Sequence, residues 1–261
     1  MLFSPGDRPA ALGCLFVPPF AEEMNKSRRM AALLGAALAD AGVPTLIPDL
    51  WGTGDSGGDF ADARWEIWQA DLRAAAGVLR ERGAGSVALV ALRLGALLAL
   101  DVLDRLPLPV SRLVLWQPVV SGSQYLTPFL RLRVASALAD GGGATVRAVR
   151  DELERAGSVE IGGYELPLAL ARAMEAARLD AAGPAIRCPV DWLDVSSDLE
   201  RPLAPPMREA VDGWRRAGVA VAVERVRGDA FWATQEITEV PDLVAATVRL
   251  LTAPAGERAC A

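Results

Sequence analysis

The 261-residue chain contains no histidine. That absence removes the side chain that ordinarily titrates between pH 5 and 8, and it excludes any Ser-His-Asp or Cys-His relay. Proton transfer near neutral pH must then come from a shifted carboxylate, a lysine or a cysteine. Cysteine is scarce as well. Cys14, Cys188 and Cys260 are far apart and lack metal-ligand spacing, which predicts small apolar residues in a reducing compartment rather than a disulfide framework. No basic cluster is present, and 27 basic against 33 acidic residues leave a net charge of −6, so nucleic acid is not an expected partner. The first residues, "MLFSPGDRPAALG", lack a basic stretch followed by an apolar run, so neither export nor a lipid anchor is expected. The longest uncharged run, residues 113–130, carries Gln117, Pro118, Ser121, Gly122, Ser123 and Gln124, which would sit badly among lipid tails. A cytoplasmic protein without a membrane span is the expectation. No metal cluster or dinucleotide fingerprint appears, and "GTGDSGG" (52–58) lacks the lysine and helix of a phosphate loop, so no metal and no cofactor are expected.

What is there is core material, 52% hydrophobic, enough for one large domain with an insertion. "ALGCLFVPPF" (11–20) reads as a strand stopped by two prolines, and "MNKSRRMAALLGAALADAG" (24–42) as a helix closed by Gly42. "VPTLIPDLWGTGDSGGDF" (43–60) gives an apolar run and a Gly-rich loop, and "ARWEIWQADLRAAAGVLRERG" (63–83) a helix with Trp65, Trp68 and Leu72 on one side. "SVALVA" and "SRLVLWQPVV" are further strands around the helix "LGALLALDVLDRL". Unbroken apolar strands separated by helices predict a mainly parallel sheet covered on both faces. The rhythm changes over 121–184, where helical pieces surround "SVEIGGYEL", and then resumes through "CPVDWLDVSS", "PMREAVDGWRRAG", "VAVAVERVRG" and "PDLVAATVRLLTA". Residues 1–120 and 185–261 are therefore read as an α/β core, and 121–184 as an inserted, mainly helical cap.

The strand at 86–91 runs into Ala91-Leu92-Arg93-Leu94-Gly95, a small-x-residue-x-Gly turn whose flanking small residues suit a crowded backbone with its central side chain projecting above the sheet. Arg93 thus falls at the carboxyl ends of the strands, where ligands gather in open parallel sheets, and before a helix N-terminus that favours negative charge. "PPFAEEMNKSRRMAAL", "DLWGTGDSGGDF" and "ALRLGALLA" resemble the α/β-hydrolase superfamily, and more narrowly the group named exosortase A system-associated hydrolase 2, found with bacterial exopolysaccharide systems. The resemblance implies the α/β-hydrolase fold and action on esters or related acyl bonds. It also implies that Arg93 occupies the nucleophile position, that Asp198 is the candidate acid, and that the histidine position falls in "GDAFW", at Phe231. Backbone N–H groups near Phe20 and Leu94 would be the oxyanion donors.

Two functional readings follow. In the first, Glu22 or Glu23 activates water while Arg93 holds a substrate carboxylate or developing oxyanion. In the second, the protein does not react, and Arg93 grips an anionic or acyl ligand, or a protein of the exopolysaccharide system, under the cap. Against both stands a simple internal ion pair of Arg93 with Glu22 or Glu23, only one of which is expected to point inward. Asn25, Lys26, Phe231 and Trp232 are candidate binding residues beside the cleft, although aromatic residues after a strand are commonly core packing. Asp55 and Ser56 read as turn residues, and Ser121 and Ser123 lack an activating partner.

Overall fold

The computed structural model describes residues 2–4, 11–139, 143–180 and 186–253; Cys260 lies outside them. A short strand β1 (Leu2–Ser4) precedes β2 (Leu12–Val17), α1 (Glu22–Asp40), β3 (Thr45–Ile47), α2 (Trp65–Glu81), β4 (Ser86–Leu92), α3 (Gly95–Val102) and β5 (Val110–Trp116). Between β5 and the next strand of the main sheet come α4 (Gly122–Ala139), α5 (Val146–Ala156), the hairpin β6 (Ser158–Ile161) and β7 (Tyr164–Pro167), and α6 (Leu168–Ala176). The chain then completes β8 (Val190–Ser196), α7 (Pro205–Arg216), β9 (Val221–Arg227) and α8 (Pro241–Thr252).

Seven strands form one sheet in the order β1-β3-β2-β4-β5-β8-β9, parallel throughout except for β1, which pairs antiparallel with β3. Alternation along each central strand sends successive side chains to opposite faces. Leu15, Val17, Leu89, Ala91, Leu113 and Leu115 pack on the side of α2 and α3, whereas Cys14, Phe16, Ala88, Val90, Val114 and Trp116 pack on the side of α1 and α8. Two cores on one sheet explain why these strands carry no polar face. A buried bidentate pair, Arg112 Nε and Nη2 on Asp191 at 2.5 and 3.0 Å, ties β5 to β8.

Several expectations shift. The strand β1 has no counterpart in the sequence pattern, since three residues carry no period. The first helix starts at Glu22 rather than at residue 24, which puts both glutamates in its first turn. The segment "SVEIGGYEL" is an antiparallel hairpin, Ile161 opposite Tyr164, set among the helices of the insertion. Trp65 and Trp68 are buried as read, with indole N–H groups donating to Asp101 Oδ2 at 2.7 Å and to the Trp51 carbonyl at 3.0 Å. Ser56 closes its own loop, donating to the Leu50 and Thr53 carbonyls at 2.6 Å. Cys14 and Cys188 are buried, and burial pushes their thiols up to about 12 and about 11. Among the described residues no helix is long and apolar enough to cross a membrane.

Candidate functional site

Among the described residues, three other than glycine have positive φ: Ala21 (52°), Arg93 (54°) and Gln117 (43°). They follow β2, β4 and β5, three adjacent strands, at the same end of the sheet. A left-handed backbone costs an L-residue about 1–2 kcal/mol, so three such residues at one place mark a geometry that the surroundings impose. Two hydrogen bonds help impose it. Arg93 N–H donates to the Trp116 carbonyl at 3.1 Å, and Val119 N–H donates to the Arg93 carbonyl at 3.3 Å. Gly95 completes the turn, because a Cβ there would lie 2.6 Å from the carbonyl oxygens of Val17 and Pro18.

That turn presents the Arg93 side chain, 19% exposed, at the floor of a cavity of about 400 Å³. Its Nε donates to Glu23 Oε1 at 3.3 Å, and Nη1 lies 3.5 Å from the Gln117 carbonyl. The guanidinium carbon lies 5.2 Å from the Trp232 ring centroid and 5.7 Å from that of Tyr125, both within cation–π range. Nη2 has no acceptor among the described residues. The walls are Pro118, Val119 and Val120 after β5, Phe129 and Leu132 on α4, and Met207 on α7.

Glu23 is buried and carries one oxygen, Oε2, without a hydrogen-bond partner. Burial raises its carboxyl above the ordinary range, and the Arg93 charge pulls in the opposite direction. The Tyr125 phenol also favours the carboxylate. Burial, followed by the Glu23 charge, holds Tyr125 well above its usual range. Glu22 is half-buried and lines the same cavity. Of the two glutamates, Glu23 alone pairs with Arg93 among the described residues, while both line the cavity.

The other candidates scatter. Phe20 is buried in an aromatic cluster, its ring edge-on to Phe129 and Tyr125 at centroid distances of 5.1 and 6.2 Å. The N–H groups of Phe20 and Leu94 have no acceptor among the described residues. Asn25 donates to the Tyr164 hydroxyl at 2.9 Å, tying α1 to the hairpin, and Lys26 donates to the Ala233 carbonyl at 3.2 Å. Both make structural contacts away from the cavity wall. Phe231 is fully buried, packed edge-on against Trp116, so it does not face a ligand; its neighbour Trp232 meets Arg93. Asp198 is exposed, and its carboxylate accepts from Glu200 N–H at 3.0 Å within its own loop, with no contact to Arg93. Sequence reasoning missed Gln117, Tyr125 and the α4 and α7 walls. Gln117 had a signal, a polar residue ending the apolar run "RLVLW", and it now accepts Val195 N–H through Oε1 at 2.7 Å.

The sequence pattern of the family described as serine aminopeptidase, S33, matches residues 17–153, which run from the last residue of β2 through β5, the Arg93 turn and the first helices of the insertion. The chain belongs to this α/β-hydrolase family. Solved structures share the fold of this S33 chain at low identity. A Butyrivibrio proteoclasticus esterase, Est1E, determined with ferulic acid bound, has a TM-score of 0.64 at 16% identity and covers 96% of this chain and 92% of its own. A thermophilic esterase from Thermogutta terrifontis, determined with malate bound, has a TM-score of 0.64 at 17% identity, covering 96% and 91%. MenH from S. aureus has a TM-score of 0.61 at 12% identity, covering 96% and 97%. No curated protein matches this S33 chain. At these identities the likeness speaks to the fold alone, and the expected α/β-hydrolase fold is the one observed.

Proposed function

We propose that this S33-family protein binds an anionic ligand at Arg93 and does not cleave acyl bonds by a serine mechanism. One observation carries the reading: a guanidinium stands at the strained strand-to-helix turn, tethered to Glu23 at 3.3 Å yet open to a cavity of about 400 Å³, in a chain without histidine. A group that stays protonated cannot attack a carbonyl, but it can hold negative charge. The cavity volume falls in the ~300–1,000 Å³ range of small-molecule sites. Residues 121–184 act as the cap over a core formed by 1–120 and 185–261, because α4 contributes Tyr125, Phe129 and Leu132 to the walls. The likeness of "PPFAEEMNKSRRMAAL" to exosortase A system-associated hydrolases supports work beside the cytoplasmic part of an exopolysaccharide system, with one of its proteins as a partner.

A second reading is favoured by Glu23, whose burial holds a proton more tightly than an ordinary glutamate, as a general acid or base needs. Turnover of short- and long-chain p-nitrophenyl esters separates the two. Binding alone predicts hydrolysis no faster than buffer, together with ligand-induced thermal stabilisation. Turnover that disappears in Glu23→Gln would replace binding with carboxylate-assisted hydrolysis.

A further inference from the structure

Resting on the reading of this cavity as an anion site, we infer that its ligand is an aliphatic monocarboxylate, with its head on the free edge of Arg93 and its chain running past Phe129 toward Leu132 and Met207. Three observations define the class. First, the guanidinium uses Nε for Glu23 and leaves Nη2 without an acceptor, and a planar fork with a free edge matches a carboxylate. Second, the lining away from Arg93 is mainly apolar, formed by Pro118, Val119, Phe129, Leu132 and Met207, with Ser121 and Gln124 as polar residues among them. A hydrocarbon chain gains about 0.8 kcal/mol per CH₂ removed from water there. Third, Glu22 and Glu23 line the cavity beside Arg93, its one cation among the described residues, so a second negative charge on the ligand would meet two carboxylates. Dicarboxylates and phosphate monoesters are thereby disfavoured relative to a singly charged head.

The arrangement also fixes a proton balance. The groups facing Glu23 are Arg93 from the β4–α3 turn, Tyr125 from α4 and Glu22 beside it on α1. A ligand carboxylate arriving at Arg93 takes a share of the positive charge that favours ionised Glu23. At a pH where Glu23 is ionised in the free protein, it then accepts a proton from solvent, and the pair of acids at Arg93 keeps a single negative charge. Binding of each anion is therefore accompanied by uptake of up to about one proton.

Titration calorimetry with sodium octanoate, 1-octanol and suberate, repeated in buffers of different ionisation enthalpy, tests this. Octanoate is expected to bind about tenfold or more tightly than either of the others, to lose about tenfold to a hundredfold in Arg93→Leu, and to take up protons in wild type but not in Glu23→Gln. Leu132→Asp, on an exposed position of α4, is expected to weaken octanoate about tenfold without disturbing the fold; no effect would overturn the path given to the chain. Octanol binding as tightly as octanoate would overturn the head-group assignment. Suberate or inorganic phosphate binding more tightly than octanoate, with that affinity lost in Arg93→Leu, would overturn the monocarboxylate while leaving the anion site intact. Octanoate, suberate and phosphate all unaffected by Arg93→Leu would remove both. Proton uptake unchanged in Glu23→Gln would overturn the role given to that residue.

Discussion

Arg93 combines a left-handed backbone at a strand-to-helix turn with a side chain that stays positively charged. The φ of 54°, the Gly95 contact and the hydrogen bond to Trp116 are properties of the main chain, and they do not depend on what projects from it. Restoring a hydroxyl should therefore not restore chemistry. Arg93→Ser is expected to hydrolyse p-nitrophenyl acetate no faster than buffer, since the chain has no histidine to act as its base. Burst kinetics in that variant would show a base elsewhere. At this scale the sequence was legible where sterics dictate the residue, as at Arg93 and Gly95, and where a count excludes chemistry, as with histidine. It was illegible where partners come from distant segments. Nothing near Tyr125 in the sequence signals a ring 5.7 Å from residue 93, and Asp198 satisfies its own loop although its position suggested otherwise.

Among the elements, the most tightly constrained junction is the start of α4. A Cβ on Gly122 would fall 1.7 Å from the Met174 carbonyl oxygen, so the first turn of α4 lies directly against the end of α6. Gly122→Ala is expected to cost about 1–3 kcal/mol in urea unfolding, because two backbones must separate. Gly77→Ala, in the interior of α2 with nothing within 4 Å, should instead gain about 0.5–1 kcal/mol. A loss at both sites would refute the close-approach argument. Element types and the parallel order were readable because apolar runs and helical periodicity are local signals. The hairpin inside the insertion was not, since its two four-residue strands flank a Gly-Gly turn amid strong helical neighbours.

For the molecule as a whole, Glu23 links the site to stability. Its folded carboxyl titrates above the ordinary value of 4.5, so below that pH it is protonated in both folded and unfolded chains. As pH rises, the unfolded chain releases the proton first, the folded state binds more protons, and the contribution of Glu23 to stability declines through its folded pKa. Glu23→Gln should flatten that decline above pH 4.5, read as urea midpoints of the two proteins across pH. Parallel curves would mean that Glu23 titrates normally. The sheet order carries a separate consequence for biosynthesis. Val190 is the partner of Leu113, so the open edge of β5 must wait on the ribosome for roughly seventy more residues, about 4–15 s at ~5–20 residues per second. During that interval Trp116 and its apolar neighbours form a bare strand edge, and the nascent chain is most exposed to chaperone capture or misassembly before β8 emerges.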